Sequence, residues 1–408
     1  MSNQFQYVPG KAALNDVTHS TGSAVANITD LVREINIHSS VNIKSTIVEF
    51  SIIDSIGYIS KAPIQAGDVI AFTIKTADGD FERKVKVMEI NSILDLDGRN
   101  LSYIIKCSSD LRYASSNVKL SKAYSGLASE IAYVILNETA KAEVGVWESS
   151  RDQHHFIAPN WDPIKCIKFL AGESVSVNYP ERMMFFQDAA LKWHFTSLSH
   201  INELYSQKGD MITYTYGKNT QSLKTPGGNV PNTESVATAI LNVSYLNSFN
   251  IEDSIKRGNI KNTHYSYDVN TGKLTIDINS QWDTYLQNNS NELPLYNLED
   301  MGQGNVTIDY LSVYSTEINP MPKPGVSDEY SYDRSQEIEI EVLGNHISNI
   351  GQMINIEIIS RQPGNGGQSE LDKRWSGVYS ITAKRDVHTK DTHKMVLRCT
   401  KNSIGKTI

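Results

Sequence analysis

Histidine offers the most scope for acid-base or metal chemistry in this chain, and four histidines fall between positions 154 and 200. His154 and His155 are adjacent, Asp152 precedes them, and His194 and His200 follow. A zinc site needs side chains that converge on one point, and no HxxxH or HExxH spacing places two of these histidines on one helical face. We therefore predict that they are solvated loop residues and that the chain has no metal site.

Neighbouring carboxylates suggest a second chemistry, glycoside hydrolysis, at Glu299 and Asp300 and at Asp328 and Glu329. That reaction needs two carboxyl groups about 5 to 10 Å apart across a cleft, and adjacency in sequence does not imply such a cleft. We interpret both pairs as solvated loop residues. The sequence predicts no catalytic residue and no enzymatic activity.

A glycine-rich segment, RQPGNGGQSE, contains Gly364, Gly366 and Gly367. No GK[ST] follows and no helix is predicted to begin there, so the segment lacks the features of a phosphate-binding loop. We predict a flexible loop tip and no bound cofactor.

Tryptophans can form a platform on which sugars stack, and the chain has five of them: Trp147, Trp161, Trp193, Trp282 and Trp375. Trp161 and Trp193 lie within apolar patterns, which favours a place in the core. The sequence leaves Trp282 and Trp375 open.

Composition indicates a folded protein of several domains. The chain has 408 residues with 39% hydrophobic and 21% charged residues, and about 150 residues per domain suggests two to four domains. The net charge is −8 and the Lys and Arg residues are dispersed, which argues against a groove that binds nucleic acid. The sequence predicts no signal peptide and no membrane span. Cys107, Cys166 and Cys399 are predicted to be buried thiols of a reducing compartment.

The elements that surround these residues are clearest between positions 161 and 201. Asp162 is placed to cap a helix that begins at Pro163, and Gly172 is expected to end it. Residues 183–186 and 192–195 are predicted to form a hairpin, and Ser197 is expected to cap a second helix. Upstream, apolar residues at helical spacing predict another helix over residues 120–142.

Three segments, LSKAYSGLASEIAYVIL, WDPIKCIKFLA and FFQDAALKWHFTSLSHI, resemble the middle domain of baseplate hub proteins from contractile-tailed bacteriophages of the T-even type. The resemblance covers residues 120–205 best. Its motifs are packing motifs, so it implies an architecture and a structural role without catalysis.

The flanks on either side are β-rich and contain an internal repeat. TIVEFSIIDS at 46–55 matches QEIEIEVLGN at 336–345, QAGDVIAFTI at 65–74 matches NIGQMINIEI at 349–358, and SYIIKCSS at 102–109 matches KMVLRCTK at 394–401. The three matches keep their order along the chain, which predicts two similar folding units. We expect the strands at 102–109 and 394–401 to lie in two separate barrels, with Ile104 and Val396 in the two cores.

The predicted fold is a β-rich α+β fold with two similar small antiparallel β-barrels. The first barrel spans 1–115, and its residues 1–31 are predicted to be an extended arm that lies on a neighbour. A helix and hairpin middle domain spans 116–205, the second barrel combines 206–240 with 305–408, and a β insertion spans 241–304.

The resemblance implies a homotrimeric hub that adapts a sixfold tail tube to a threefold central spike. Its implied partners are the spike, the tail tube or tube initiator proteins and the baseplate wedge proteins, while DNA passes through without sequence-specific binding. Its implied location is the baseplate of the virion, after assembly in the cytoplasm of the bacterial host. Two other functions remain open: a tail-associated cell-wall hydrolase and a host-binding β protein.

Overall fold

The computed structural model describes residues 10, 12–22, 24–76, 79–151, 153–179, 182–207, 211–216, 238–247, 262–268, 272–279, 292–294, 305–311, 336–345, 348–360, 370–401 and 403–405. Strands predominate in these residues and the helices are short, so the prediction of a β-rich fold with few helices is confirmed. No helix among them is long and apolar enough to cross a membrane.

The first part of the chain is built from antiparallel strands around one apolar core. The elements are β1 (Ala13–Thr21), β2 (Ala24–Asn27), β3 (Val32–Ser40), β4 (Ile47–Asp54), α1 (Tyr58–Lys61), β5 (Val69–Thr76), β6 (Gly79–Asp95) and β7 (Leu101–Ser108). Along β4 every second residue is buried, so Val48, Phe50 and Ile52 enter the core, where the Phe50 ring meets the Phe72 ring edge-on at 5.4 Å.

The expected N-terminal arm is wrong for the described residues. β1 pairs with β5 over its length, and Val17 at its centre is fully buried. The segment ALNDVTHST alternates small and polar residues, so its sequence gives only a weak strand signal. The strand forms because it pairs with β5.

The middle of the chain combines short helices with small sheets. Its elements are α2 (Asp110–Asn117), β8 (Ala123–Leu127), α3 (Ala128–Thr139), β9 (Val144–Trp147), β10 (Gln153–Ile157), α4 (Pro163–Glu173), β11 (Met184–Gln187), β12 (Trp193–Thr196) and α5 (Leu198–Ser206). The hairpin prediction is confirmed by β11 and β12, which pair directly. Trp193 is buried as predicted and stacks on Phe185 with ring centroids 4.8 Å apart.

The predicted helix caps are confirmed, while two helix boundaries differ. Asp162 Oδ1 accepts a hydrogen bond from the Lys165 amide at 2.9 Å, and Ser197 Oγ accepts one from the His200 amide at 3.4 Å. Gly172 lies inside α4, which ends at Glu173. The helix expected from residue 120 begins only at Ala128, because residues 123–127 form β8 and pair with β10.

The last part of the chain again consists of strands. They are β13 (Thr213–Tyr216), β14 (Ile240–Asn247), β15 (Asn262–Asp268), β16 (Lys273–Asn279), β17 (Glu292–Pro294), β18 (Asn305–Leu311), β19 (Gln336–Leu343), β20 (Met353–Ile358), β21 (Gly377–Thr389), β22 (His393–Lys401) and β23 (Ser403–Gly405). Residues 41–46 connect β3 to β4, whereas residues 248–335 lie between β14 and β19.

The strand order repeats, and the internal repeat found in the sequence follows it. In the first half, neighbouring strands run β1-β5-β6-β7-β4-β3, and in the second half they run β13-β20-β21-β22-β19-β14. The matched segments fall on β4 and β19, on β5 and β20, and on β7 and β22, which hold equivalent places in the two orders. The two halves of the chain therefore share one topology.

The two halves are not separate closed barrels in the described residues. Thirteen strands, from β14 at one end to β2 at the other, belong to one hydrogen-bonded sheet because β21 pairs with β3, and the path of described strands does not close on itself. β7 and β22 thus lie in the same sheet, against the expectation. The predicted faces are also wrong by one residue: Tyr103, Ile105, Met395 and Leu397 are buried, while Ile104 and Val396 are half-buried.

Two compact units are distinguished by their internal contacts. One contains Met1–Val243, Ile340–Ile354 and Ser380–Arg398, and the other contains Ser244–Glu339, Asn355–Tyr379 and Cys399–Ile408. β14 lies in the large sheet although residues from 241 on were assigned to an insertion, and β18 pairs with β15 in a small sheet of its own. The division into four domains remains a prediction.

Candidate functional site

The strand pair β3–β21, which we call the repeat junction, joins the first half of the sequence to the second. It is antiparallel, with partners from Ala383 opposite Ser40 to Thr389 opposite Glu34. The other side of β3 pairs with β4, so β3 has a neighbour along both edges. The junction is the strand pair through which the two repeated strand orders join into one sheet.

A buried cluster of charged and polar side chains lies on one face of the junction. Lys384, Asp386 and His388 alternate along β21 and therefore share a face, and His393 on β22 reaches the same point. The Lys384 Nζ atom lies 3.2 Å from Asp386 Oδ1, and His393 Nε2 lies 2.9 Å from that same oxygen. All four residues are buried, so the carboxylate exchanges water for two specific partners.

The charge of Asp386 is decided by these neighbours. Burial by itself would raise the pKa of its carboxyl, but the Lys384 ammonium and the hydrogen bond with His393 hold that pKa well below its ordinary value. Asp386 is therefore ionised at neutral pH and forms a buried ion pair with Lys384.

The histidines of the cluster are held by close packing. The rings of His388 and His393 stack with centroids 4.0 Å apart. Gly344 lies against the His393 ring so closely that a Cβ atom there would collide with it. The Gly344 amide donates to the His393 carbonyl at 2.8 Å, and the His393 amide donates to the Gly10 carbonyl at 2.7 Å.

Asp386, His388 and His393 also have the side-chain types of a metal site, because their ligand atoms lie within 4.8 Å of one another. A divalent cation bound there would have to displace Lys384, whose ammonium already contacts the carboxylate. The geometry therefore fits a buried ion pair better than a metal site, and the absence of a metal remains a prediction.

The opposite face of the junction carries weaker polar contacts. Arg385 Nε donates to Asn36 Oδ1 at 3.0 Å, and His38 Nε2 lies 3.4 Å from Glu49 Oε2. Burial lowers the pKa of His38; Glu49 raises it, and Arg385 lowers it further. His38 is therefore held in its neutral form more strongly than an ordinary histidine.

The histidines considered in the sequence do not form one site among the described residues. His155 is exposed but lies in strand β10 rather than in a loop, and His200 lies in the first turn of α5. His154 is half-buried, also in β10. Asp152 lies outside the described residues.

His194 contradicts the expectation of a solvated loop residue, because it is buried in β12. Its Nδ1 accepts a hydrogen bond from the Val146 amide at 3.0 Å, so the ring proton must be on Nε2, which donates to Asp188 Oδ2 at 3.0 Å. The ring also stacks on Phe186 at 4.9 Å. These contacts fix one tautomer and make His194 a structural residue.

The sequence does not reveal a second buried group of polar side chains, which forms a relay around His19. His19 Nδ1 lies 2.8 Å from the Tyr58 hydroxyl, and His19 Nε2 lies 2.9 Å from Asp68 Oδ2. The arrangement of hydroxyl, imidazole and carboxylate resembles the relay of a nucleophilic site, but Tyr58 is buried. Burial raises the pKa of the Tyr58 hydroxyl, and the nearby Asp68 charge raises it further. A phenol of raised pKa is a poor nucleophile, so we interpret this relay as a brace between β1 and α1.

The remaining candidate residues from the sequence either pack within the fold or fall outside the described residues. The latter are Trp282, Glu299, Asp300, Asp328, Glu329, Gly364, Gly366 and Gly367. Trp375 is half-buried and its ring lies 4.4 Å from that of Tyr245, whereas Trp161 is only half-buried and Trp147 stacks on Phe195 at 5.3 Å. The three cysteines are free and buried as predicted.

The sequence contains little that marks the repeat junction. Lys384, Asp386, His388 and His393 lie in KRDVHTKDTH, which has the composition of an exposed hairpin tip. The one available signal is that Lys384, Asp386 and His388 continue the alternation of β21 at the positions of its buried face.

Comparison with solved structures finds proteins of similar fold. No protein-family model and no curated protein sequence matches the chain. The 43 kDa tail protein of prophage MuSo2 from Shewanella oneidensis superposes with a TM-score of 0.54 at 11% identity, covering 95% of this chain and 98% of that one. The chain has the fold of a phage tail protein.

Two other solved structures are similar at lower scores. The tail protein from Neisseria meningitidis MC58 has a TM-score of 0.49 at 10% identity, and the match covers 95% of this chain and 96% of that protein's chain. The c3393 protein of E. coli, a component of the type VI secretion system, has a TM-score of 0.43 at 11% identity and covers 92% of this chain and 76% of its own.

Proposed function

We propose that this protein is a structural hub of a phage tail baseplate, a homotrimeric ring between a sixfold tail tube and a threefold central spike. Each chain would supply two similar halves, so a trimer would offer six similar halves to the tube and three identical chains to the spike. A rotation of about 60° would relate the two halves in such a ring.

The observation that carries the proposal is the repeated strand order. Six strands run β1-β5-β6-β7-β4-β3 and six more run β13-β20-β21-β22-β19-β14 within one chain. A duplicated topology is what a threefold assembly needs in order to meet a sixfold one. The likeness to a tail protein over 95% of the chain supports the same setting.

The proposed partners follow from this role. The ring would contact the central spike, the tail tube or tube initiator proteins and the baseplate wedge proteins, and DNA would pass through it without sequence-specific binding. The net charge of −8 fits a conduit that does not retain DNA. The protein would be assembled in the host cytoplasm and would reside in the virion baseplate.

Light scattering tests the proposal directly. Purified full-length protein is measured at several concentrations, with and without the cognate spike. We expect a species of three times the chain mass of 45.5 kDa, strengthened by the spike. A monomer at every concentration in both conditions would overturn the hub.

A further inference from the structure

The repeat junction is one half of a pattern that a second copy of the chain can complete. β3 and β14 hold the same place in the two strand orders, and so do β21 and β6. Within the chain β3 pairs with β21, whereas among the described strands β14 pairs only with β19, and β6 only with β5 and β7. The counterpart pair, β14 with β6, is therefore missing inside the chain.

The edge of β6 that this pair needs is open in the described structure. β6 pairs with β5 only from Gly79 to Lys86, so residues 88–95 extend beyond β5. The corresponding half of β21, from Ala383 to Thr389, is the half that pairs with β3. Ile93 and Leu94 in this part of β6 are 56% and 61% exposed, which is unusual for two neighbouring apolar residues of a strand.

β14 supplies the second unpaired edge, which begins after the single bridge between Ala239, the residue before the strand, and Thr215 of β13. Its sequence, ILNVSYLN, contains no charged residue and no proline, although these are the residues that normally protect an edge strand from pairing. Leu241 and Leu246 are 46% and 42% exposed. In β3, which has neighbours on both sides, Ile35 and Ile37 are fully buried.

We propose that β14 of one copy pairs antiparallel with residues 88–95 of β6 in the next copy, and that this strand pair is the contact between copies. The pairing repeats between chains the geometry that the β3–β21 pair has within one chain, and it covers the four exposed aliphatic side chains. Each copy has one edge of each kind, so the contacts run head to tail and can close into a ring. The inference rests on the proposed trimer and names its interface.

Disulfide trapping tests the pairing. One tagged chain carries Leu241→Cys or Leu246→Cys, and a second chain carries a single cysteine at each position from 88 to 95 in turn. Oxidation should give a two-chain product at a few positions, because a disulfide forms only where the Cβ atoms lie about 4 Å apart. The native thiols are buried and do not compete. Val25→Cys, which is 68% exposed on the edge strand β2, is the control and should give no such product.

A second measurement does not depend on the disulfide geometry. Ile93→Lys with Leu94→Lys should reduce the trimer fraction in light scattering and leave the far-UV circular dichroism spectrum of the chain unchanged, because both side chains are exposed. Val25→Lys should leave the trimer intact. A trimer that is insensitive to the β6 charges and gives no cross-link along the walk, or one that cross-links through Val25→Cys, overturns the inference and leaves the hub standing. A chain that stays monomeric with the spike overturns both.

Discussion

At the scale of single residues, Asp386 has its charge fixed by two neighbours rather than by solvent. Replacing it in Asp386→Asn leaves the buried Lys384 ammonium without a counter-charge. We expect the free energy of unfolding to fall by roughly 3 to 5 kcal/mol at pH 7. Urea melts measure this, with the exposed Asp110→Asn as a control that should change little.

The same carboxyl makes stability depend on acid pH. Its pKa is lower in the folded chain than in the unfolded chain, where it is about 3.9. The stabilisation is therefore complete at neutral pH and is lost as the pH falls below about 4 toward the folded pKa. Urea melts between pH 7 and pH 3 should show a shallower acid decline in Asp386→Asn than in the wild type, and identical slopes would mean that Asp386 is not ionised in the fold.

Trp193 tests the core of the middle region. Its ring is buried and stacks on Phe185, so Trp193→Ala should leave a cavity and lower the free energy of unfolding by about 3 to 5 kcal/mol. Denaturant melts measure the loss. Ile157→Ala, at a side chain that is 73% exposed, is the control, and a change within about 0.5 kcal/mol for Trp193→Ala would contradict its place in the core.

At the scale of elements, helix α4 depends on its cap. Asp162 Oδ1 accepts a hydrogen bond from the Lys165 amide, so Asp162→Ala should cost about 1 kcal/mol. Asp162→Asn keeps an acceptor of similar capping strength and should remain close to the wild type. Thermal melts of the two variants distinguish the cap from a charge effect, since equal losses in both would assign the effect to the charge.

The elements that the sequence predicts correctly are those with local signals. α4 has an acidic cap and a proline at its first position, and β11 and β12 are joined by a short turn. The elements that it misses depend on distant partners: β1 is fixed by β5, and β8 interrupts a helical pattern because it pairs with β10. Local pattern cannot identify a partner that is far away in the chain.

At the scale of the whole molecule, the alternating pattern predicts the repeated topology but not how the halves connect. Three matched segments are enough to align the strand orders, because alternation marks each strand. The β3–β21 pair joins residues more than three hundred positions apart, and no sequence feature of either strand identifies the other as its partner. The Asp386 cluster was missed for the same reason, since its burial follows from that pairing.

A turbidity assay on the full-length protein tests the alternative function, a cell-wall hydrolase. We expect purified full-length protein to leave the turbidity of a bacterial cell-wall suspension unchanged, because the relay around His19 and the cluster around Asp386 are buried and so are not open to a polymer. Hen lysozyme in the same suspension is the positive control. Clearing of the suspension by the protein at a comparable rate would replace the structural role with a cell-wall hydrolase.

The connections between equivalent strands differ in length between the two halves, which bears on how the proposed ring could evolve. Six residues, 41–46, join β3 to β4, while the long stretch 248–335 lies between their counterparts β14 and β19. Because both halves belong to one chain, a mutation or an insertion in either half would appear three times in the proposed trimer and never six. If the proposed hub is correct, covalent duplication would let one half acquire features for the threefold spike while the other keeps the simple form that the sixfold tube would require.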